Sequence, residues 1–255
     1  MSYEVDNSVR NTRLSDAGMV WDAEMVARVA WACIAKPGDP AMGALIAAHG
    51  AAAALEVVVS SRMVEWKGFR LRPIRAALRG RFSPVVVRRV LEATVREELT
   101  VLIPGRPGWP SQLDDLGPAM PMVVWVRGDA GVLSRPAVAV TGTRQPTAAG
   151  VHEVLDAASL LADRGYVIIS SAAPGIDTLA IRASLVIEET AVAVIPAGIA
   201  HAATSDQGPL LTEVAARGVV VSEQPPWAVP DAETREARDR IVAALAGRTV
   251  AVDTG

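Results

Sequence analysis

Ala137-Val-Ala-Val-Thr-Gly-Thr-Arg144 is an apolar strand that runs straight into a Gly-Thr-Arg turn, after which Thr147 opens a long amphipathic helix. The mouth of this unit offers backbone N–H groups, a hydroxyl and a guanidinium. A helix N-terminus carries about half a positive charge and several donors without intrahelical acceptors, so phosphate is its natural guest. The same unit is also the ordinary connection of an α/β protein, so taken alone it does not separate a binding site from scaffold.

Outward from this stretch the texture repeats. Tyr166–Ser170, Ala191–Ile195, Val219–Val221 and Thr249–Val252 are short apolar runs, separated by amphipathic stretches over 147–164, 175–187, 206–217 and 231–246. Two further runs, Val101–Ile103 and Met122–Val126, precede it. Continuous apolar strands alternating with helices predict an α/β fold, a Rossmann-like, mostly parallel sheet with flanking helices. Such sheets bind ligands at the carboxyl ends of their strands, near the point where strand order reverses. Those ends here are Thr141–Arg144, Ser170–Asp177, Pro196–His201 and Ser222–Pro226.

Each loop supplies candidates. Gly142, Thr143 and Arg144 form the first. Ser171, Gly175 and Asp177 form the second, with Gly175 where the backbone must come close and Asp177 placed to hold a ribose hydroxyl, to orient Arg144 or to cap the helix. The third contributes Gly198. The fourth carries Glu223, a carboxylate with no histidine or second acid beside it in sequence, which argues against general-base catalysis. Arg235, Arg238 and Arg240 line the last helix. Arg238 and Arg240 lie two apart and so on different faces, one toward the groove and one toward solvent.

The first hundred residues read differently. Residues 1–16 are polar, and Asp22 to Ser60 is helical in pattern, with a break at Lys36-Pro-Gly-Asp-Pro40. Ser83-Pro84 is an N-cap followed by proline at the first helical position. The helix it opens has one apolar face of Val87, Val90, Leu91 and Val95 and is expected to end near Leu99. Two parts are therefore expected: a small all-helical N-terminal region over 1–99 and a Rossmann-like core over 100–255.

Composition narrows the function. No run of 18 uncharged apolar residues is present, which excludes an ordinary membrane span, and the opening Met1-Ser-Tyr-Glu-Val-Asp-Asn7 lacks the marks of a signal peptide. A cytoplasmic protein is expected. Cys33 is the only cysteine, and His49, His152 and His201 show no metal-ligand spacing, so neither an intrachain disulfide nor a metal centre is expected. No phosphate-loop lysine motif, no G-x-G-x-x-G after a strand and no G-x-S-x-G elbow occurs, which disfavours an ATPase, a nicotinamide enzyme and a serine hydrolase. Net charge is −3, yet Arg62–Arg96 alone sums to +8, from ten basic residues against Glu65 and Glu92. Such a stripe is either a footprint for a polyanion or a solvated helical face.

In order, Pro104-Gly-Arg-Pro-Gly-Trp-Pro110, Pro121-Met-Val-Val-Trp-Val-Arg-Gly-Asp129, Val138–Arg144, Gly175-Ile-Asp177, Ser222-Glu-Gln-Pro-Pro226 and Arg238-Asp-Arg-Ile241 resemble the motifs of the DNA-processing protein A (DprA/Smf) family. The N-terminal helices are compatible with the small SAM-like domain of that family. The resemblance implies a homodimeric protein that binds single-stranded DNA non-specifically and delivers a RecA-type recombinase onto it in transformation or recombination. It implies no chemical reaction and no cofactor. Carried over residue by residue, it puts Gly142, Thr143 and Arg144 first in contacting DNA and Arg238 and Arg240 second.

The chain departs from the family pattern at several places. Pro174 replaces an arginine, Ile181 a histidine, Ala203-Thr204 a Tyr-Pro pair, Arg235-Glu236 a Phe-Pro pair and Asp239 an asparagine. A loop charge and an aromatic that would stack a base are thereby lost. The family also continues past the point equivalent to Gly255, so either a diverged member with a C-terminally short sheet or a sheet completed by another chain is expected. Two other readings stay open: a nucleotide-binding or nucleotide-cleaving protein of the wider superfamily, of whose glycine-rich motif Pro196-Ala-Gly198 is a fragment, and a diverged scaffold that no longer binds DNA.

Overall fold

The computed structural model describes residues 21–60 and 72–252, with side chains from 75 onward in the second stretch. Arg62, Lys67 and Arg70 of the basic segment lie outside the described residues.

Helices α1 (Ala23–Ile34), α2 (Pro40–His49), α3 (Ala51–Val59), α4 (Arg72–Arg81) and α5 (Pro84–Arg96) come first. Their starts are written locally. Asp22, Asp39 and Ser83 cap α1, α2 and α5 by accepting first-turn N–H groups, and proline follows the cap in α2 and α5. The helical run predicted from Ala41 breaks at Gly50, and α2 and α3 meet at a bend of 114°. Helix α5 ends three residues before its expected end, because Glu98 turns into the left-handed region at φ 52°.

Among the described residues seven strands follow: β1 (Thr100–Leu102), β2 (Val124–Gly128), β3 (Ala137–Gly142), β4 (Val167–Ser170), β5 (Ala191–Val194), β6 (Val219–Ser222) and β7 (Arg248–Val252). They form one sheet in the order β1-β2-β6-β5-β4-β3-β7. The run β6-β5-β4-β3-β7 is parallel, as predicted, whereas β1 and β2 join antiparallel. Between the parallel strands lie α6 (Ala148–Asp163), α7 (Ile176–Val186), α8 (Ile199–Ala203), α9 (Gly208–Arg217) and α10 (Ala232–Leu245).

Alternate strand residues feed two layers. Ala139, Ile169, Val194 and Val221 pack with Ile241 and Leu245 of α10 on one face. On the other, Val140 and Ile168 pack with Val154 and Ala180, while Ala193 and Val220 join a cluster that also holds Trp31, Leu45 and Val58 of the N-terminal helices. The helical segment is thus packed onto the sheet through shared apolar surface, which removes both from water together. Among the described residues no single helix is long and apolar enough to cross a membrane.

After β3 the chain builds outward to β6 and then returns over the sheet through α10 to place β7 on the far side of β3. The strand order therefore reverses at β3, and the Gly-Thr-Arg turn stands at that switch point.

Candidate nucleic-acid interface

The turn after β3 is held from below. Asp177, 6% exposed, accepts from the Thr141 hydroxyl at 2.9 Å, from the Gly142 N–H at 3.3 Å and from the Ser171 hydroxyl. Its carboxylate braces the ends of β3 and β4 against each other. None of the roles expected for it is seen: it is not open to a ribose, it makes no bond to Arg144, and α7, with Gly175 at its N-cap, has no side-chain cap. Burial under three donors is the reason, since a carboxylate removed from water needs those partners.

Gly175 presses the second loop onto the first. Its φ of 97° lies in the left-handed region, and a Cβ there would overlap the Thr143 carbonyl and the Arg144 backbone. The Ile176 N–H then donates to Thr143 O at 3.0 Å. The Thr143 hydroxyl accepts from Gln145 N at 3.3 Å, and Thr147 caps α6 by accepting from Gly150 N at 3.1 Å. The N–H groups of Ala148 and Ala149 have no intrahelical acceptor. Arg144 extends from this turn exposed, with no hydrogen bond or ion pair among the described residues.

Arg238 reaches the same place from α10. It donates to Ser171 O at 3.2 Å and pairs with Asp239 at 2.7 Å, and its side chain is 11% exposed. It adds positive charge beside the second loop, partly offset by its neighbour.

Two expected residues fall elsewhere. Gly198 is buried, its N–H donates to Ala228 O at 2.9 Å, and it lets the third loop pack on the carbonyls of Pro225 and Pro226. It joins two loops and presents no donor outward. Arg240 faces neither groove nor solvent. It donates to Ala119 O at 2.9 Å and pairs with Glu223 at 2.6 Å, both side chains largely buried. Burial pushes the Glu223 pKa up, the Arg240 guanidinium and the Gly38 N–H pull it down, and the net direction is above the ordinary carboxylate range. Among the described residues the Oε2 of Glu223 has no hydrogen-bond partner. Among the described residues no three His, Cys, Asp or Glu side chains converge.

Sequence reasoning passed over Trp227. It stands exposed in the loop after β6, and the signal was available: an aromatic set between Pro225-Pro226 and Pro230 belongs to no periodic apolar stripe.

The profile of the DNA recombination-mediator protein A family matches residues 100–255, more than half of the chain. The chain belongs to that family. Among curated relatives it is 38% identical over 137 residues to a Mycobacterium tuberculosis protein named as a putative DNA processing protein DprA, across 53% of this chain and 35% of the relative. It is 30% identical over 133 residues to DNA processing protein DprA of Bacillus subtilis, across 52% of this chain and 45% of that protein. The chain thus spans less than half the length of these DprA relatives. The solved structure of DprA from Streptococcus pneumoniae superposes with a TM-score of 0.70 at 19% identity, over 92% of this chain and 79% of that one, which shows the shared fold. The Helicobacter pylori DprA, described for its single-stranded DNA binding mode, matches with a TM-score of 0.54 at 25% identity, over 60% of this chain and 68% of its own.

Proposed function

We propose that this chain binds single-stranded DNA along the carboxyl edge of its parallel strands and acts in DNA processing and recombination. The observation that carries the reading is Arg144: an exposed cation, without a counter-ion among the described residues, on a glycine-built turn at the switch point of a DprA fold. Guanidinium and helix-terminal N–H groups suit phosphate, and phosphate contacts position a strand without reading its sequence. Arg238 is a secondary contact. Asp177, Ser171, Gly142 and Gly175 hold the turn in place, and Thr143 offers its backbone and hydroxyl beside Arg144.

The same proposal carries the family's finer properties. The described helices before β1 extend the groove through the basic face on which Arg79, Arg88 and Arg89 are exposed. A homodimer has apolar surface available in Leu155 and Leu160 of α6 and Val186 at the end of α7, all half or more exposed or close to it. Delivery of a RecA-type recombinase onto the bound strand is the activity this assembly serves. The buried, Arg240-bound Glu223 supports a binding protein, because a carboxylate so placed cannot reach a substrate proton.

The test is fluorescence anisotropy with labelled oligo-dT of increasing length against a duplex control, at several salt concentrations. Length-dependent, salt-sensitive binding that favours single strands is expected. Absence of binding at low salt would leave a scaffold, and binding of mononucleotides without dependence on strand length would point to a nucleotide protein.

A further inference from the structure

Trp227 is 46% exposed, and its indole N–H donates to nothing among the described residues. The backbone on either side of it is pinned. Pro226 O accepts from His201 N at 3.0 Å, Ala228 O accepts from Gly198 N at 2.9 Å, and Ala228 N donates to Pro225 O at 2.9 Å. Pro225, Pro226 and Pro230 restrict the chain further. An indole held out on a stiff turn loses little conformational freedom when a flat partner covers it.

The loop leaves β6, and β3 to β6 are parallel, so Trp227 and Arg144 emerge at the same edge of the sheet. Three interstrand spacings separate their strands, about 14 Å, a distance that a short stretch of extended nucleotides bridges. We propose that Trp227 is a stacking platform for a nucleobase of the single strand whose phosphate Arg144 holds, an inference that rests on the reading of the site given above. It supplies the aromatic missing from the family positions, from a different loop. Stacking suits binding that does not depend on sequence, since every base has a π-face. An exposed tryptophan is also a common anchor of protein interfaces. Those anchors sit inside apolar patches, whereas the other exposed large apolar residue of this loop is Val229 alone.

The test compares the wild-type chain, Trp227→Ala and Trp227→Phe for anisotropy binding to a dT oligomer and to an abasic oligomer of equal length. Expected is a loss of about tenfold in dT affinity for Trp227→Ala, with abasic binding and the salt slope unchanged, and near-complete retention for Trp227→Phe. Wild-type dT affinity in Trp227→Ala would overturn the inference and leave the single-strand reading intact. Equal losses for both oligomers, or an altered oligomeric state in sedimentation with DNA binding unchanged, would overturn it too. A wild-type chain that binds neither oligomer overturns both readings.

Discussion

Gly175 shows how much of the turn depends on a missing side chain. Alanine there meets the left-handed penalty and the Thr143 carbonyl together, so Gly175→Ala is expected to cost about 2 kcal/mol or more in urea denaturation. Gly80, in the exposed face of α4 with open space where a Cβ would go, is the contrast: Gly80→Ala is expected to stabilise by about 0.5–1 kcal/mol. Equal effects at the two positions would mean that the packing of the second loop on the first is unimportant. Asp177 is held by the same loop packing. Its position at the head of a helix suggested a cap or a ligand contact, yet the side chain turns back to Thr141, 36 residues away, and that direction is set by burial.

Helix α10 is fastened to its surroundings chiefly through Arg240 and its buried ion pair with Glu223. Arg240 links it to the segment ending at Ala119, to the loop after β6 through Glu223, and to the Lys36–Pro40 turn, where Gly38 lies against the guanidinium. Beside it Lys36 pairs with Glu233 at 2.8 Å on the exposed side. Removing Arg240 strands a buried carboxylate, at a cost of about 3–5 kcal/mol near neutrality. The pH dependence has a definite sign. Glu223 holds its proton more tightly folded than unfolded, so its contribution to stability falls as pH rises from the unfolded value toward the folded one, and losing Arg240 moves the folded value higher still. The deficit of Arg240→Ala against wild type is therefore expected to narrow as pH is lowered toward 5, followed by urea denaturation at each pH. A deficit constant with pH would assign the loss to the bond with Ala119.

Across the molecule, the architecture was legible because buried parallel strands read as unbroken apolar runs and because Ser83-Pro84 and Thr147 announce helix starts. The Gly-Thr-Arg turn was legible for the same local reason. What stayed hidden was non-local: Arg240 finds partners 17 and 121 residues away, Gly198 gives its N–H to a different loop, and the antiparallel entry of β1 and β2 follows from the register of Trp125 against Ser222. These choices leave Arg144 as the exposed cation of the turn, the group on which the proposed strand binding depends. The deciding measurement is the salt dependence of oligo-dT binding for wild type and Arg144→Ala, with unfolding compared to confirm equal stability. The slope of log K against log salt is expected to flatten by about 0.7, one phosphate's worth on a single strand, with weaker binding at every salt concentration. An unchanged slope and affinity would contradict the assignment and make the turn scaffold.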